Sequence, residues 1–281
     1  MPGYQINGPL IKVSGLGLTL DGKEILRDVN AEVHDYVSVD RPDLKTPQII
    51  SFLGPSGIGK TQFSLCLAGL QQSTIGTVLV GPDLQPTKPG LVGMVAQNYP
   101  LLMHRTVLGN LIKSGTQAGM SRSEATAAAM EYLQTFGLMA EKDKYPVQLS
   151  GGQQQRVAII QQLLCSKHYL VLDEPLSGLD VNNKRIVCEQ LVKMGRLDEL
   201  NTFIIVSHDI KFTLAISNTV WLMGRDRTPE GEVIPGAKIQ HRIDLNELGI
   251  CGLDNPECII QNDPRFNELV RDIELRIFPT L

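Results

Sequence analysis

The segment Gly54-Pro55-Ser56-Gly57-Ile58-Gly59-Lys60-Thr61 constrains this chain more than any other. It fits the pattern G-x-x-x-x-G-K-[ST] and stands where that pattern has physical meaning. The apolar run Gln48 to Leu53 leads into it, and Phe63, Cys66, Leu67 and Leu70 follow at helical spacing. A buried strand, a glycine-rich turn and a helix start point several backbone N–H groups, and the positive end of a helix dipole, at one small volume. That volume suits phosphate oxygens. Lys60 supplies a point charge between a β- and a γ-phosphate, and the Thr61 hydroxyl is the hard oxygen ligand that magnesium prefers. The loop predicts a nucleoside triphosphate site with an α/β fold around it.

The rest of the chain carries the matching pattern. Tyr169 to Leu172, Thr202 to Val206 and Val220 to Met223 are Val-, Ile- and Leu-rich runs without polar alternation. Strands buried on both faces read this way, so a mainly parallel sheet is expected. Helical patterns lie between them. Ser121 and Glu124 have capping-box spacing, and Ala125, Ala128, Ala129, Tyr132, Leu133 and Phe136 then share one helical face. His34 to Pro47 is polar and carries Pro42 and Pro47, which predicts an exposed excursion before a core strand. From Gly224 the chain becomes rich in turns, and Asn267 to Ile277 reads as an amphipathic helix. The expected division is a nucleotide-binding domain over 1–223 and an appendage of unknown role over 224–281.

Tyr169-Leu170-Val171-Leu172-Asp173-Glu174-Pro175 ends an apolar strand in two acids. Successive side chains leave a strand on opposite faces, so the two carboxylates need not share one task. Asp173 is the natural partner of the metal. Glu174 reaches the attacking water as general base or positioner. The acidic pair is weak alone and strong beside the glycine-rich loop.

With 281 residues, 42% hydrophobic and 20% charged, the composition suits a globular protein. The net charge of -4 gives no reason to expect nucleic acid as a partner. Cys66, Cys165, Cys188, Cys251 and Cys258 show no paired framework and read as reduced thiols. His241, Cys251 and Cys258 do not match a tetrahedral zinc spacing. Met1 to Ile11 lacks a basic segment followed by an apolar run, and no stretch approaches the roughly 18 apolar residues of a membrane helix.

The segment Leu149-Ser150-Gly151-Gly152-Gln153, followed by Gln154-Gln155-Arg156, resembles the LSGGQ signature of the ABC ATPases without a change. It is also a second anion cradle: the Ser150 hydroxyl and the N–H groups of Gly151 and Gly152 stand at the head of a helix running through Val157 to Leu164. The resemblance covers roughly Leu10 to Met223. It implies a P-loop core with an antiparallel β subdomain and a helical signature subdomain inserted over about 98–160. It identifies Gln97 as the Q-loop residue near magnesium and water, Ser177-Gly178-Leu179-Asp180 as the D-loop, and His208 as the switch histidine at the γ-phosphate. The implied catalytic set is Glu174, His208 and Gln97, and the implied metal set is Thr61, Gln97 and Asp173. One departure concerns the base: where the family places an aromatic residue against adenine, this chain has Leu20, and Tyr36 is the candidate substitute.

The same resemblance implies ATP and Mg2+ as cofactors and a homodimer, or a pair with another ABC subunit. Each ATP is then expected between the glycine-rich loop of one copy and Ser150 to Gln153 of the other. An integral membrane permease is the expected partner, with an extracytoplasmic solute-binding protein if transport is inward. The expected location is the cytoplasmic face of the membrane, as a peripheral subunit. Asn98 to Arg105 offers Leu101, Leu102 and Met103 either for docking that partner or for local core. The weak likeness of this run and of Asp263 to Leu275 points toward importers of small polar solutes. The competing classes are a soluble ABC ATPase of translation or DNA repair and an ATP-gated scaffold. A single nucleotide module and the absence of a long coiled coil weigh against the first, and the presence of Glu174 and His208 weighs against the second.

Overall fold

The structure, a computed structural model, describes residues 4–38, 47–96, 100–166, 168–196, 200–250 and 263–281. Two sheets organise it. The first is antiparallel, with order β2-β1-β4-β5, formed by β1 (Tyr4–Leu20), β2 (Lys23–Ser38), β4 (Ile75–Val80) and β5 (Gln85–Pro86). Asp21 and Gly22 close the β1–β2 hairpin with φ of 48° and 74°. Two central residues at positive φ match the right-handed twist of the flanking strands, and Asp-Gly is a favoured pair for that turn. The second sheet has order β10-β9-β3-β8-β7-β6. In it β3 (Gln48–Leu53), β6 (Val92–Val95), β7 (Tyr169–Asp173), β8 (Thr202–Val206) and β9 (Thr219–Gly224) run parallel, and β10 (Lys238–Asp244) lies antiparallel on β9.

Alternation along the central strands decides where the cores sit. Leu170 and Leu172 join one buried cluster, while Tyr169 and Val171 join another on the opposite face. Phe203 and Ile205 separate in the same way from Ile204 and Val206. One face packs on α2 (Val107–Gln117), α3 (Arg122–Thr135), α4 (Gly151–Cys165) and α5 (Val181–Gly195), through Leu111, Leu133, Ile160 and Leu191 among others. The other face packs on α1 (Lys60–Leu67) and the antiparallel sheet, through Leu16, Leu26, Phe63 and Met223. Both faces of the parallel strands are therefore dry, as their unbroken apolar runs require.

Helix α3 starts as the sequence predicts. The Ser121 hydroxyl accepts from Glu124 N–H at 3.2 Å, and the Glu124 carboxylate accepts from Ser121 N–H at 2.8 Å. The excursion expected over His34 to Pro47 is corrected in its first part: His34 to Val37 pair with Gln5 to Pro9, so β2 continues where polarity predicted a loop. In the segment expected as an appendage, β10 extends the central sheet. The helix α7 (Pro264–Asp272), with the π-helical turn Ile273–Ile277, buries Phe266, Val270 and Ile273 against Leu53, Leu214 and Leu222. Short helix α6 (Ile210–Ala215) belongs to that third cluster too. Of the cysteine and histidine group considered for zinc, His241 lies on β10, and Cys251 and Cys258 fall outside the described residues.

Candidate functional site

The glycine-rich loop leaves β3 and enters α1. Its first glycine answers to a close approach: a methyl group at Gly54 would stand 2.6 Å from the Met223 carbonyl oxygen on neighbouring β9. Gly57 and Gly59 adopt φ of 74° and 121°, open to glycine and strained for other residues. The loop lies against β2, for a Cβ at Gly59 would come within 3.1 Å of Leu26.

Lys60 is buried, and its ammonium donates to the carbonyl oxygens of Gly54 at 2.7 Å and Pro55 at 3.0 Å. Burial lowers its pKa, and the charges of Glu174 and Asp173 oppose that shift. Across the cleft, the Thr61 hydroxyl donates to Asp173 Oδ2 at 3.1 Å. Burial raises the Asp173 pKa, the Thr61 hydrogen bond lowers it, the Glu174 charge raises it, and the Lys60 charge lowers it. Two hard oxygen atoms thus meet at a helix start, the ligand type that magnesium prefers.

Glu174 follows the last residue of β7. Its N–H donates to the Val206 carbonyl at 2.8 Å, which prolongs the pairing with β8 by one residue. Its backbone then turns left-handed, with φ of 53°. That conformation is unfavourable for a side-chain-bearing residue and is concentrated at functional sites. The turn brings a Glu174 carboxylate oxygen within 2.8 Å of His208 Nδ1, while the His208 side chain is 70% exposed.

A cleft of about 530 Å3 joins Ser56, Gly57, Gly59, Lys60 and Thr61 with Asp173, Glu174 and His208. These predicted residues meet in one place. Ile25 and Gln62 also line the cleft, and sequence reasoning did not single them out. Gln62 is adjacent to the motif and legible from it. Ile25 is brought in by β2, and nothing local marks it. Gln97 lies outside the described residues.

Leu149 to Gln153 and Ser177 to Asp180 do not line the cleft. Ser150 caps α4: its hydroxyl accepts from Gln153 N–H at 3.3 Å, and Gln153 Oε1 accepts from Ser150 N–H at 2.9 Å. Gln153 Nε2 donates onward to Glu141 at 3.3 Å. A methyl group at Gly151 would meet no atom within 4 Å, so the helix head faces open space. The two segments adjoin each other, with a Cβ at Gly152 falling 3.7 Å from the Leu179 side chain. Asp180 caps α5 by accepting from Asn183 N–H at 2.9 Å.

Tyr36 is not available to a base, which corrects that expectation. It is buried, and its hydroxyl donates to Asp244 Oδ2 at 2.9 Å. It stands eleven residues along β2 from Ile25, about 36 Å at roughly 3.3 Å per residue. Leu20 ends β1 half-buried beside the hairpin turn. Leu101 is buried, whereas Leu102 and Met103 are exposed. The buried Asn110 holds that loop through bonds to Leu102 N–H and to the Leu102, Arg105 and Thr106 carbonyls.

Comparison with known proteins places these features in company. Residues 41–177 match the family described as ABC transporter. The L-cystine transport system ATP-binding protein TcyN of Escherichia coli (strain K12) is 34% identical over 235 residues, which are 78% of this chain and 88% of that protein. The spermidine/putrescine import ATP-binding protein PotA of Pseudomonas aeruginosa (strain UCBPP-PA14) is 35% identical over 210 residues, 73% of this chain. The chain spans 58% of the length of that relative. Among solved structures, cbiO1 from Clostridium perfringens, described as part of the ABC transporter complex cbiONQ, superposes with a TM-score of 0.69 at 23% identity. It covers 96% of this chain and 100% of its own, a likeness of fold.

Proposed function

This chain belongs to the ABC transporter family, and from that premise we propose that it binds and hydrolyses ATP to drive a solute through a separate membrane-embedded permease. The cleft that joins Lys60, Thr61, Asp173, Glu174 and His208 carries the reading. It presents an ammonium and loop N–H groups on one side and two carboxylates and an imidazole on the other. Lys60 exchanges the Gly54 and Pro55 carbonyls for phosphate oxygens. Glu174 orients the attacking water, and His208 holds both Glu174 and the γ-phosphate. Gln97 joins them in the same role. Thr61 and Asp173 would hold magnesium, which when bound supplies positive charge to the phosphates. Leu20 and Ile25 supply aliphatic contact for the base.

Leu149 to Gln153 stand outside their own chain's cleft with an open helix head, which supports a dimer in which they complete the site of a second copy. The γ-phosphate then bridges two chains, and its hydrolysis releases them. Ser177 to Asp180, beside the signature, lie at that boundary. No helix among the described residues is long and apolar enough to cross a membrane. The pore in this reading is another chain, docked at the exposed Leu102 and Met103. The subunit works at the cytoplasmic face of the membrane. The importer names of its relatives favour inward movement of a small polar solute delivered by an extracytoplasmic binding protein.

The first test is phosphate release by the wild type and by Glu174→Gln, alone and with the co-purified membrane partner. Removal of the water-orienting carboxylate is expected to lower turnover by about 10²–10⁴-fold. Equal rates would refute ATP-driven work. In saturating Mg-ATP, Glu174→Gln is expected to sediment as a dimer, and a monomer under all conditions would refute the shared site. Gentle extraction of membranes is expected to recover a polytopic membrane protein with the chain. Recovery of ribosomes or DNA instead would favour the soluble alternative.

A further inference from the structure

Beside the cleft lies an ion pair that the chemistry above does not use. Lys184 belongs to the first turn of α5, where its N–H donates to the Asp180 carbonyl at 2.9 Å. Its ammonium reaches Asp209 Oδ2 at 2.5 Å and stands 5.7 Å from the Phe212 ring centroid. Both side chains are largely buried, at 23% and 18% exposure. The other carboxylate oxygen of Asp209 accepts from Phe212 N–H at 3.3 Å, and Asp209 N–H donates to the Ser207 hydroxyl at 3.0 Å. Asp209 is the residue after His208.

The arrangement matters because His208 is otherwise loosely held. Its ring is exposed and touches Glu174. The backbone before it is tied to β3 by Ser207 N–H to the Phe52 carbonyl at 3.3 Å. Asp209 anchors the other side of the histidine, and Lys184 anchors Asp209. A second consequence is electrostatic. With Lys184 neutralised, the Asp209 carboxylate would stand unpaired next to a residue that must approach a polyphosphate, and like charges repel most strongly where water is scarce. The pair also joins two segments distant in sequence: the loop of His208 and the helix that Asp180 caps.

We propose that Lys184 is a positioning residue for ATP hydrolysis, its ion pair with Asp209 bracing His208 and linking that loop to the segment Ser177 to Asp180. The inference rests on the hydrolytic reading above. The alternative is an ion pair that only steadies the six-residue helix α6, and partly exposed pairs often contribute little. The two differ in what they do to turnover as against folding and binding.

The test uses the full chain and its Lys184→Met, Lys184→Arg, Asp209→Asn and Lys184→Met/Asp209→Asn variants. Steady-state phosphate release gives kcat and KM, and thermal melting reports folding. ADP binding is read from Trp221, the single tryptophan, whose ring lies 6.3 Å from that of Phe63 on α1. Lys184→Met is expected to lower kcat by roughly 10- to 100-fold, as small misplacements of catalytic groups do. KM, ADP affinity and melting temperature stay near wild type. Lys184→Arg restores most of the rate, and the double variant is no slower than the slower single one, because the two changes remove the same interaction. An unaltered kcat in Lys184→Met, or a loss that tracks melting temperature and is not rescued by arginine, overturns the proposal. If Lys184→Met does not fold, Asp209→Asn answers the same question, since it keeps a capping oxygen and removes the charge. Wild-type turnover with an unimpaired variant removes the brace alone. Absence of any wild-type turnover removes hydrolysis and the brace together.

Discussion

At the scale of single residues, the role proposed for Glu174 and its backbone comfort oppose each other. Its φ of 53° aims the carboxylate at His208 and costs conformational energy that glycine would not incur. Glu174→Gly is therefore expected to raise stability by about 0.5–1 kcal/mol while abolishing turnover, as read by denaturant unfolding and phosphate release. Loss of stability in that variant would mean that the left-handed turn is unstrained. Tyr36 yields a prediction of a different kind. Burial, followed by the hydrogen bond to Asp244, pushes its phenol up to about 12. The folded state thus holds this proton more tightly than the unfolded chain, so the stabilisation is complete below pH 10 and is lost as pH rises toward 12. Tyr36→Phe should lower stability by about 1 kcal/mol at neutral pH and flatten that alkaline decline. The residues of the glycine-rich loop were legible in advance because local chemistry selects each one. The place of Ile25 was not, because only strand pairing brings it to the cleft.

At the scale of elements, helix α1 is held in place by what lies beneath it. Phe63 packs edge-to-face on Phe52, with ring centroids 5.1 Å apart, and both rings meet Trp221 of β9. These rings are fully buried, Phe52 on the strand that enters the glycine-rich loop and Phe63 on the helix that leaves it. Phe63→Ala is expected to cost about 3–5 kcal/mol and to weaken nucleotide binding, measurable by urea unfolding and ADP titration. The start of α3 was readable because caps are local: the spacing of Ser121 and Glu124 suffices. The end of β2 was not. Polar His34 and Asp35 resemble loop residues, and what makes them a strand is their antiparallel pairing with Pro9 and Gly8, far away in sequence.

At the scale of the whole molecule, the chain beyond Gly224 closes the fold. Strand β10 covers the free edge of β9, and Phe266, Val270 and Ile273 seal Leu53, Val220 and Leu222. Truncation after Gly224 would bare that cluster and leave a hydrophobic edge strand. The truncated chain is expected to bind a hydrophobic dye and to lose cooperative unfolding, and an intact melting transition would refute this. A polar turn-rich stretch reads as an appendage when its apolar residues are widely spaced. Burial against Leu53 of β3, Leu214 of α6 and Val220 and Leu222 of β9 is what packs it on the central sheet.

The sequence by itself determined the family and the chemistry proposed for it. A phosphate loop, an acidic strand end and a second glycine cradle are recognisable because each works through backbone N–H groups and side chains close together in the chain. The tertiary structure alone decided which of these share a cleft. It brought Lys60, Asp173, Glu174 and His208 together by parallel pairing of β3, β8 and β7, and it left Ser150 to Gln153 outside, with Gly151 facing open space. The reason is physical: strand order is set by burial across both sheet faces, a property of distant residues acting together that no short segment contains.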